Sequence, residues 1–287
     1  MYVEARSHQH TPVNRPACGG CVHRRVCPFT ETEKNTRRSA ASLVSGTEVI
    51  SSGERLYRTG APVDALYFIR SGTFKVCAVA GDGTDQVVGF YGPGEIIGLN
   101  ALSDGAYPYD AVALDTASVC TVPLEPLLGS DVMNNGFLAA TDVQPFAADS
   151  SVPASPFAST SGSAGLSPAL AAALLLNFSR AARRDENLRL MLARNSATER
   201  VAAFLLDMVA NNRRRGLVCD QLLLPMSRAD IASYLALAVE TVSRVLTRLT
   251  QQGVVRVNRR RVDILDLGAL ERLTQQQPAA AEEGAVH

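Results

Sequence analysis

The chain has 287 residues, of which 46% are hydrophobic, and its formal net charge is zero. This length allows two ordinary domains, each with its own apolar core. The apolar runs are too short to span a membrane, and the opening "MYVEARSHQHTPV" lacks the apolar segment of a secretory signal. We therefore expect a soluble, cytoplasmic protein with no membrane partner.

The charge is unevenly distributed along the chain. Residues 1–179 carry 11 basic and 16 acidic side chains, whereas residues 180–287 carry 17 basic and 12 acidic ones. A basic C-terminal part predicts nucleic-acid contact confined to that end. A solvated charged face would give the same counts, so this observation is weak by itself.

The N-terminal region, residues 1–40, is a polar arm that carries three closely spaced cysteines, Cys18, Cys21 and Cys27. The other three cysteines of the chain are Cys77, Cys120 and Cys219. In a reducing cytosol disulfides are disfavoured, and clustered cysteines more often bind metal or sense redox state. The spacing therefore predicts a metal or redox site that needs a ligand from elsewhere in the chain.

Residues 41–142 show the pattern of a β domain. Short strand-like runs such as "ALYFIRSG", "TFKVCAVA" and "DQVVGFY" alternate with the turn signals "AGDGTD", "YGPGE" and "SDGAYP". Residues 143–168 are rich in Pro, Ser, Ala and Gly, a composition typical of a flexible insertion without a core.

Helical periodicity follows the insertion. It predicts one long helix at 169–194 and a second at 196–211, which Ser196 and Glu199 open as a capping box. The long helix has an apolar stripe. That stripe is suited to a dimer seam or to packing on the β domain of the same chain.

Residues 195–275 contain two short predicted helices around a tight turn. The first begins after Ser227, and the second begins near Val239 and ends before Gly253. The strand-like runs "VVRV" and "VDIL" then flank "NRRR" as a hairpin wing. Together they predict a winged helix-turn-helix that binds double-stranded DNA, followed by a disordered tail at 276–287.

Three residues in the first turns of the second helix are candidates for reading base edges in the major groove: Glu240, Ser243 and Arg244. Arg can bond bidentately to guanine, and Glu can accept from cytosine. An ion pair between Glu240 and Arg244 on a solvated face is the alternative. Arg259, Arg260 and Arg261 in the wing are candidate phosphate contacts.

The run "VETVSR" resembles the recognition helix of the FNR branch (fumarate and nitrate reduction regulators) of the Crp/Fnr transcription regulators. The resemblance implies an α+β fold with a β-roll, a long dimerisation helix and a C-terminal winged helix-turn-helix. It also implies an oxygen-responsive activator, a homodimer that contacts RNA polymerase and has no enzymatic activity. Ala236 and Ala238 depart from the glycine and the capping Ser or Thr that are common in this branch.

The same resemblance supplies the missing ligand. It implies a 4Fe–4S cluster held by Cys18, Cys21, Cys27 and Cys120, with Cys120 in the matching strand context "ASVCTVP". Four cysteines also suit structural zinc, which the spacing alone leaves open.

Asp185 is a candidate dimer switch, because two facing carboxylates would repel each other; a solvent-facing acid is the alternative. Cys77 and Cys219 are expected to be buried thiols.

The β domain lacks the residues that the cyclic-nucleotide branch uses. There, an acidic residue follows the G-E-x-x-G glycine and an arginine holds the phosphate. Here Leu99 follows Gly98, and no arginine lies between Arg70 and Arg180. We therefore expect no cyclic nucleotide.

Overall fold

The structure is a computed structural model that describes residues 18, 21–23, 27–30, 43–79, 85–128, 168–194 and 196–275. The chain divides into two compact units, one of residues 1–79 with 90–179 and one of residues 80–89 with 180–287. Most of the predicted arm, nearly all of the predicted insertion and the whole predicted tail lie outside the described residues, so these predictions stay untested.

The β domain is a roll of two four-stranded sheets. Its strands are β1 (Gly46–Ile50), β2 (Arg55–Tyr57), β3 (Ala65–Ser71), β4 (Phe74–Val79), β5 (Asp85–Tyr91), β6 (Ile96–Ile97), β7 (Asp110–Ala113) and β8 (Ala117–Pro123). The sheet orders are β1-β8-β3-β6 and β2-β7-β4-β5. A short helix, α1 (Leu124–Leu128), follows β8.

Strand β8 lies inside its sheet and pairs antiparallel with both β1 and β3. Val119 and Val122 on β8 are fully buried, as is Phe74 on β4 of the other sheet. Gly72 makes the tight turn between β3 and β4 with a φ of 78°, and a side chain there would lie 2.5 Å from the Cα of Ala117. The position therefore requires glycine.

Two helices follow, α2 (Pro168–Arg194) and α3 (Ala197–Arg214). The predicted capping box is confirmed, since Ser196 Oγ accepts from the Glu199 amide while the Glu199 carboxylate accepts from the Ser196 amide. Satisfying these amides fixes the start of α3. The helix ends three residues later than the sequence predicts.

The winged helix-turn-helix comprises β9 (Gln221–Leu223), α4 (Arg228–Leu235), α5 (Val239–Gln251), β10 (Val255–Asn258), β11 (Arg261–Ile264) and α6 (Leu267–Gln275). Ser227 caps α4 through a capping box with Asp230, and Gly253 follows α5 at a φ of 70°. The three strands form a sheet in the order β10-β11-β9. Strand β9 and helix α6 were not anticipated from the sequence.

Candidate cysteine site and nucleic-acid interface

Helix α5 has one buried face and one exposed face. The buried side chains are Val242, Val245, Leu246 and Leu249. The exposed face carries Glu240, Ser243 and Arg244, with Thr247 one turn further. Positions at i, i+3, i+4 and i+7 share one side of a helix, so these polar side chains form a single stripe away from the core.

The stripe keeps its charged groups available. Within the described part of the chain neither Glu240 nor Arg244 makes an ion pair, although they stand four residues apart. The Ser243 hydroxyl donates to the carbonyl of Val239 at 3.0 Å, which uses its proton and leaves its oxygen free to accept. The internal Glu240–Arg244 pair considered above is therefore not formed.

The turn before α5 is strained. Ala236 caps α4 in the left-handed region, with φ and ψ of 50° and 51°, a conformation that glycine adopts without cost. Ala238, at the N-cap of α5, makes no side-chain cap hydrogen bond. Both departures noted in the sequence thus have local structural consequences, at two exposed positions that precede the polar stripe of α5.

The wing presents two arginines at its tip. Strands β10 and β11 pair as far as Asn258 and Arg261, so Arg259 and Arg260 form the two-residue turn. Arg259 has a backbone φ of 52°, which is unusual for residues other than glycine, asparagine or aspartate. Arg261 lies on β11, where its Nε donates to Asp263 Oδ1 at 2.7 Å.

The cysteine site has Cys120 of β8 as its anchor on the β domain. Cys120 is buried and lies opposite Phe68 of β3 in the strand register. Phe68 in turn contacts the His23 ring, at 6.1 Å between ring centroids. Phe29, two residues after Cys27, is fully buried. The cysteine-bearing segment therefore packs against the roll beside Cys120.

Backbone hydrogen bonds shape that segment locally. The Cys21 amide donates to the Cys18 carbonyl at 3.3 Å, and the Cys27 amide donates to the His23 carbonyl at 2.8 Å. Both bonds close local turns of the backbone around the cysteines. Each of the three is partly exposed.

The four thiols are close enough to influence one another electrostatically. Burial raises the pKa of Cys27 to about 12, and the neighbouring thiols, Cys120 included, add to the rise. Burial also raises the pKa of Cys120 to about 11, with further contributions from Cys18 and Cys21. Among the described residues, however, no three candidate ligands converge as closely as a bound metal ion requires.

The donor set fits an iron–sulfur cluster in its chemistry. Four cysteine sulfurs, three from one segment and one from a buried strand, are the usual shell of such a cluster. The same set fits tetrahedral zinc. Binding either group would replace the thiol protons, because the ligands must be deprotonated.

An ion pair links strands β2 and β7 of the roll. Asp110 on β7 accepts from Arg55 Nε at 2.7 Å and from the Thr59 amide at 2.7 Å. Close by in sequence, Tyr107 is buried and stacks on Tyr57 at 3.9 Å between ring centroids. Aromatic rings and an engaged ion pair therefore occupy this part of the roll.

Helix α2 exposes large apolar side chains. Leu175, Leu176 and Phe178 are each more than half exposed, as is Leu190. Asp185 is also exposed and lies seven residues after Phe178, a spacing that returns to the same face of a helix. Partial burial by its neighbours raises the pKa of Asp185, while Arg184 and Arg189 act in the opposite direction.

Comparison with known proteins agrees with this architecture. A Crp-like helix-turn-helix domain matches residues 199–273, and a cyclic nucleotide-binding domain matches residues 47–129. The transcriptional activator protein Anr of Pseudomonas aeruginosa is 32% identical over 249 residues, which cover 87% of this chain and 88% of Anr. The chain belongs to the FNR branch of the Crp/Fnr transcription regulators.

Two further relatives support membership of the FNR branch. The fumarate and nitrate reduction regulatory protein of Escherichia coli K12 is 29% identical, over 91% of this chain and 94% of its own length. The solved structure of FixK2 from Bradyrhizobium japonicum superposes with a TM-score of 0.59 at 29% identity, covering 82% of this chain and 98% of FixK2. The predicted α+β class is confirmed. No helix among the described residues is long and apolar enough to cross a membrane.

Some features of the site escaped sequence reasoning. Cys77 is buried as predicted, but Cys219 is wrongly predicted, since it is partly exposed in the loop before β9. The pairing of Arg261 with Asp263 was also missed, although alternate positions on one strand face the same side and could have indicated it.

Proposed function

We propose that this chain is an oxygen-sensing transcriptional regulator of anaerobic genes that binds DNA as a homodimer. The observation that carries the proposal is the stripe on α5, where Glu240 and Arg244 are exposed and unpaired within the described residues. An isolated charged face would favour mutual pairing of two opposite charges four residues apart. Groups left unpaired are suited to partners outside the chain.

In a duplex, Arg244 would bond bidentately to guanine O6 and N7. Glu240 would accept from cytosine N4 of the same or a neighbouring pair, and Ser243 would accept from an exposed base amine. By resemblance to the FNR branch each half-site is TTGAT-like. The two-fold symmetry of a dimer spaces the half-sites of the palindrome about one helical turn apart.

Arg259 and Arg260 would bind phosphates, because they form the exposed tip of the wing. Arg261 contributes less to this role than the sequence alone predicts, since Asp263 already neutralises part of its charge. Phosphate contacts add affinity without sequence information.

Cys18, Cys21, Cys27 and Cys120 would hold a 4Fe–4S cluster. A bound cluster would supply the oxygen-sensitive group, and its loss in air would abolish DNA binding. The resemblance of "VETVSR" in α5 to the recognition helix of the FNR branch supports iron–sulfur over zinc. Phe29 and Phe68 would keep water from the ligands.

The apolar residues exposed on α2 would form the dimer seam. Two facing Asp185 carboxylates would oppose that association when the cluster is absent.

The protein would act in the cytoplasm, by binding rather than by catalysis. The family resemblance implies that it contacts RNA polymerase. The lack of an arginine between Arg70 and Arg180 argues against cyclic nucleotides, since a buried phosphate would have no charge partner there.

The alternative function is a constitutive Crp/Fnr-type regulator with structural zinc at the four cysteines. This alternative is supported by the cysteine spacing, which suits zinc as well as it suits an iron–sulfur cluster. Metal content separates the two.

Anaerobic binding of wild type, Arg244→Ala and Arg260→Ala to the palindrome, and to versions with the guanine replaced, tests the DNA assignment. Arg244→Ala should lose about 1–3 kcal/mol per half-site and its preference for guanine. Arg260→Ala should weaken all sequences equally and reduce the salt slope by about one. An Arg244→Ala protein that still selects guanine as wild type does would overturn the assignment.

A further inference from the structure

A single side chain of α3 joins the ends of two other helices. Arg200 lies in the first turn of α3, and its Nη2 donates to the carbonyl oxygen of Leu192 in the last turn of α2 at 2.8 Å. Its Nη1 donates to the carbonyl oxygen of Leu235, the last residue of α4, at 3.1 Å. A longer contact of 3.5 Å joins the same nitrogen to the carbonyl oxygen of Ala236, the C-cap of α4. All four residues belong to the unit that contains residues 180–287.

Both accepting positions lie where a helix ends and its carbonyl groups lack helical partners. In an uninterrupted helix the Leu192 carbonyl would accept from the amide of Ser196, but that amide donates to the Glu199 carboxylate at 3.2 Å. Leu235 ends α4, and the last carbonyls of a helix carry the negative end of its dipole. A guanidinium suits both positions, because its donors form a rigid, permanently charged fork.

One of the two ends that Arg200 joins is the strained turn of the helix-turn-helix. Ala236 holds a left-handed backbone without being glycine, and Ala238 begins α5 without a side-chain cap. A backbone in such a conformation persists when its surroundings fix it. The amide of Leu237 bonds locally to the carbonyl of Ala232, whereas Arg200 reaches the turn from another helix. Arg200 therefore holds this turn in a way that the residues of the turn do not.

We propose that Arg200 is a positioning residue for DNA recognition, because it links the end of α2 to the turn before α5. The turn sets where α5 begins, and the face that carries Glu240 and Arg244 moves with it. Since α2 carries the proposed dimer seam, the Arg200 link holds the two recognition helices of a dimer at a fixed separation. The inference rests on the proposed function for the dimer and its palindrome, whereas the link itself rests on the hydrogen bonds.

Amide hydrogen exchange of the full-length protein without DNA, followed by mass spectrometry, tests the link directly. Arg200→Met keeps an apolar stem but removes the donors. It should speed exchange in the last turn of α2 and at residues 236–242 by about ten-fold, because both places lose charge-assisted hydrogen bonds. Exchange in the wing strands β10 and β11 should stay as in wild type. Arg200→Lys should recover part of the protection, since an ammonium still donates but lacks the fork that spans both carbonyls.

Arg214→Met is the matched control, because it removes an exposed arginine from the last turn of the same helix. It should leave exchange at both places unchanged. If residues 236–242 of Arg200→Met exchange as they do in wild type, the inference is wrong. An equal acceleration in the wing of Arg200→Met would show a general loss of stability instead of a local hold, and it would also contradict the inference.

The second measurement is the choice of half-site spacing by protein purified without oxygen. The duplexes are the TTGAT-type palindrome and versions with one base pair added to or removed from its centre, which rotate one half-site by about 35°. The preference of wild type for the original spacing should fall by about five-fold in Arg200→Met, because the recognition helices are no longer held at one separation. Loss of folded protein would weaken binding to all three duplexes equally. Arg200→Lys should recover part of the preference, and Arg214→Met should keep it.

The two measurements distinguish failure of the inference from failure of the proposed function. If wild type binds none of the duplexes, the proposed function fails and the recognition role of Arg200 fails with it, while the exchange rates still decide whether the link exists. If exchange rises as expected but Arg200→Met selects the original spacing as strongly as wild type, the DNA-binding dimer stands and the role of Arg200 in recognition is wrong.

Discussion

Replacing Ala236 with glycine should stabilise the DNA-binding unit. Ala236 is exposed, so removing its methyl group loses no packing, and its φ of 50° costs roughly 1–2 kcal/mol for a residue with a Cβ. Glycine relieves that cost, but it gains roughly 0.4–1 kcal/mol of freedom in the unfolded chain. The expected net gain is about 0.5–1 kcal/mol.

Urea unfolding of the full chain, followed by far-UV circular dichroism because the protein has no tryptophan, measures this gain. With an m value of roughly 1–3 kcal/mol per molar, the midpoint of the transition that includes the helix-turn-helix should rise by about 0.4 M.

The matched control is Ala229→Gly, an identical replacement at an exposed position in the right-handed helix α4. It should destabilise the unit by roughly 0.5–1 kcal/mol, because glycine has a lower helix propensity than alanine. If Ala236→Gly lowers the midpoint as Ala229→Gly does, the claim that Ala236 is strained is wrong.

Three further predictions concern the wing, the roll and α2. Arg259→Gly should raise the urea midpoint while weakening DNA binding at low salt, because it relieves a positive φ but removes a phosphate contact; a gain in affinity would contradict this. Burial alone would raise the pKa of Asp110, but hydrogen bonds from Thr59 and Arg55 hold it below its ordinary 3.8. The ionised form of Asp110 therefore stabilises the roll above that pH, and this stabilisation is lost as the pH falls through the folded-state pKa. Below pH 3.8 the melting temperature of Asp110→Asn should therefore fall less steeply with decreasing pH than that of wild type. Asp185→Ala should increase the dimer fraction of protein kept in air, measured by sedimentation; an unchanged monomer fraction would count against the switch.

The fold was predictable where local signals were strong. Ser196 with Glu199 and Ser227 with Asp230 marked helix starts, and Gly253 marked an end, since caps depend on a few neighbouring residues. Strand β9 was not predictable, because three residues with a single buried side chain carry no periodic signal.

The candidate site was predictable in its residue types and not in its surroundings. The spacing of Cys18, Cys21 and Cys27 indicated a ligand group, but the position of Cys120 opposite Phe68 depends on the register of β3 against β8. That register is a long-range property.

The most direct test of oxygen sensing follows DNA binding and metal content in one sample. Full-length protein purified without oxygen should be brown, contain iron and sulfide in equal amounts, and bind the TTGAT palindrome as a dimer. On exposure to air the colour and the DNA binding should disappear together. A colourless protein that contains zinc and binds the palindrome equally well before and after air would contradict oxygen sensing through a cluster.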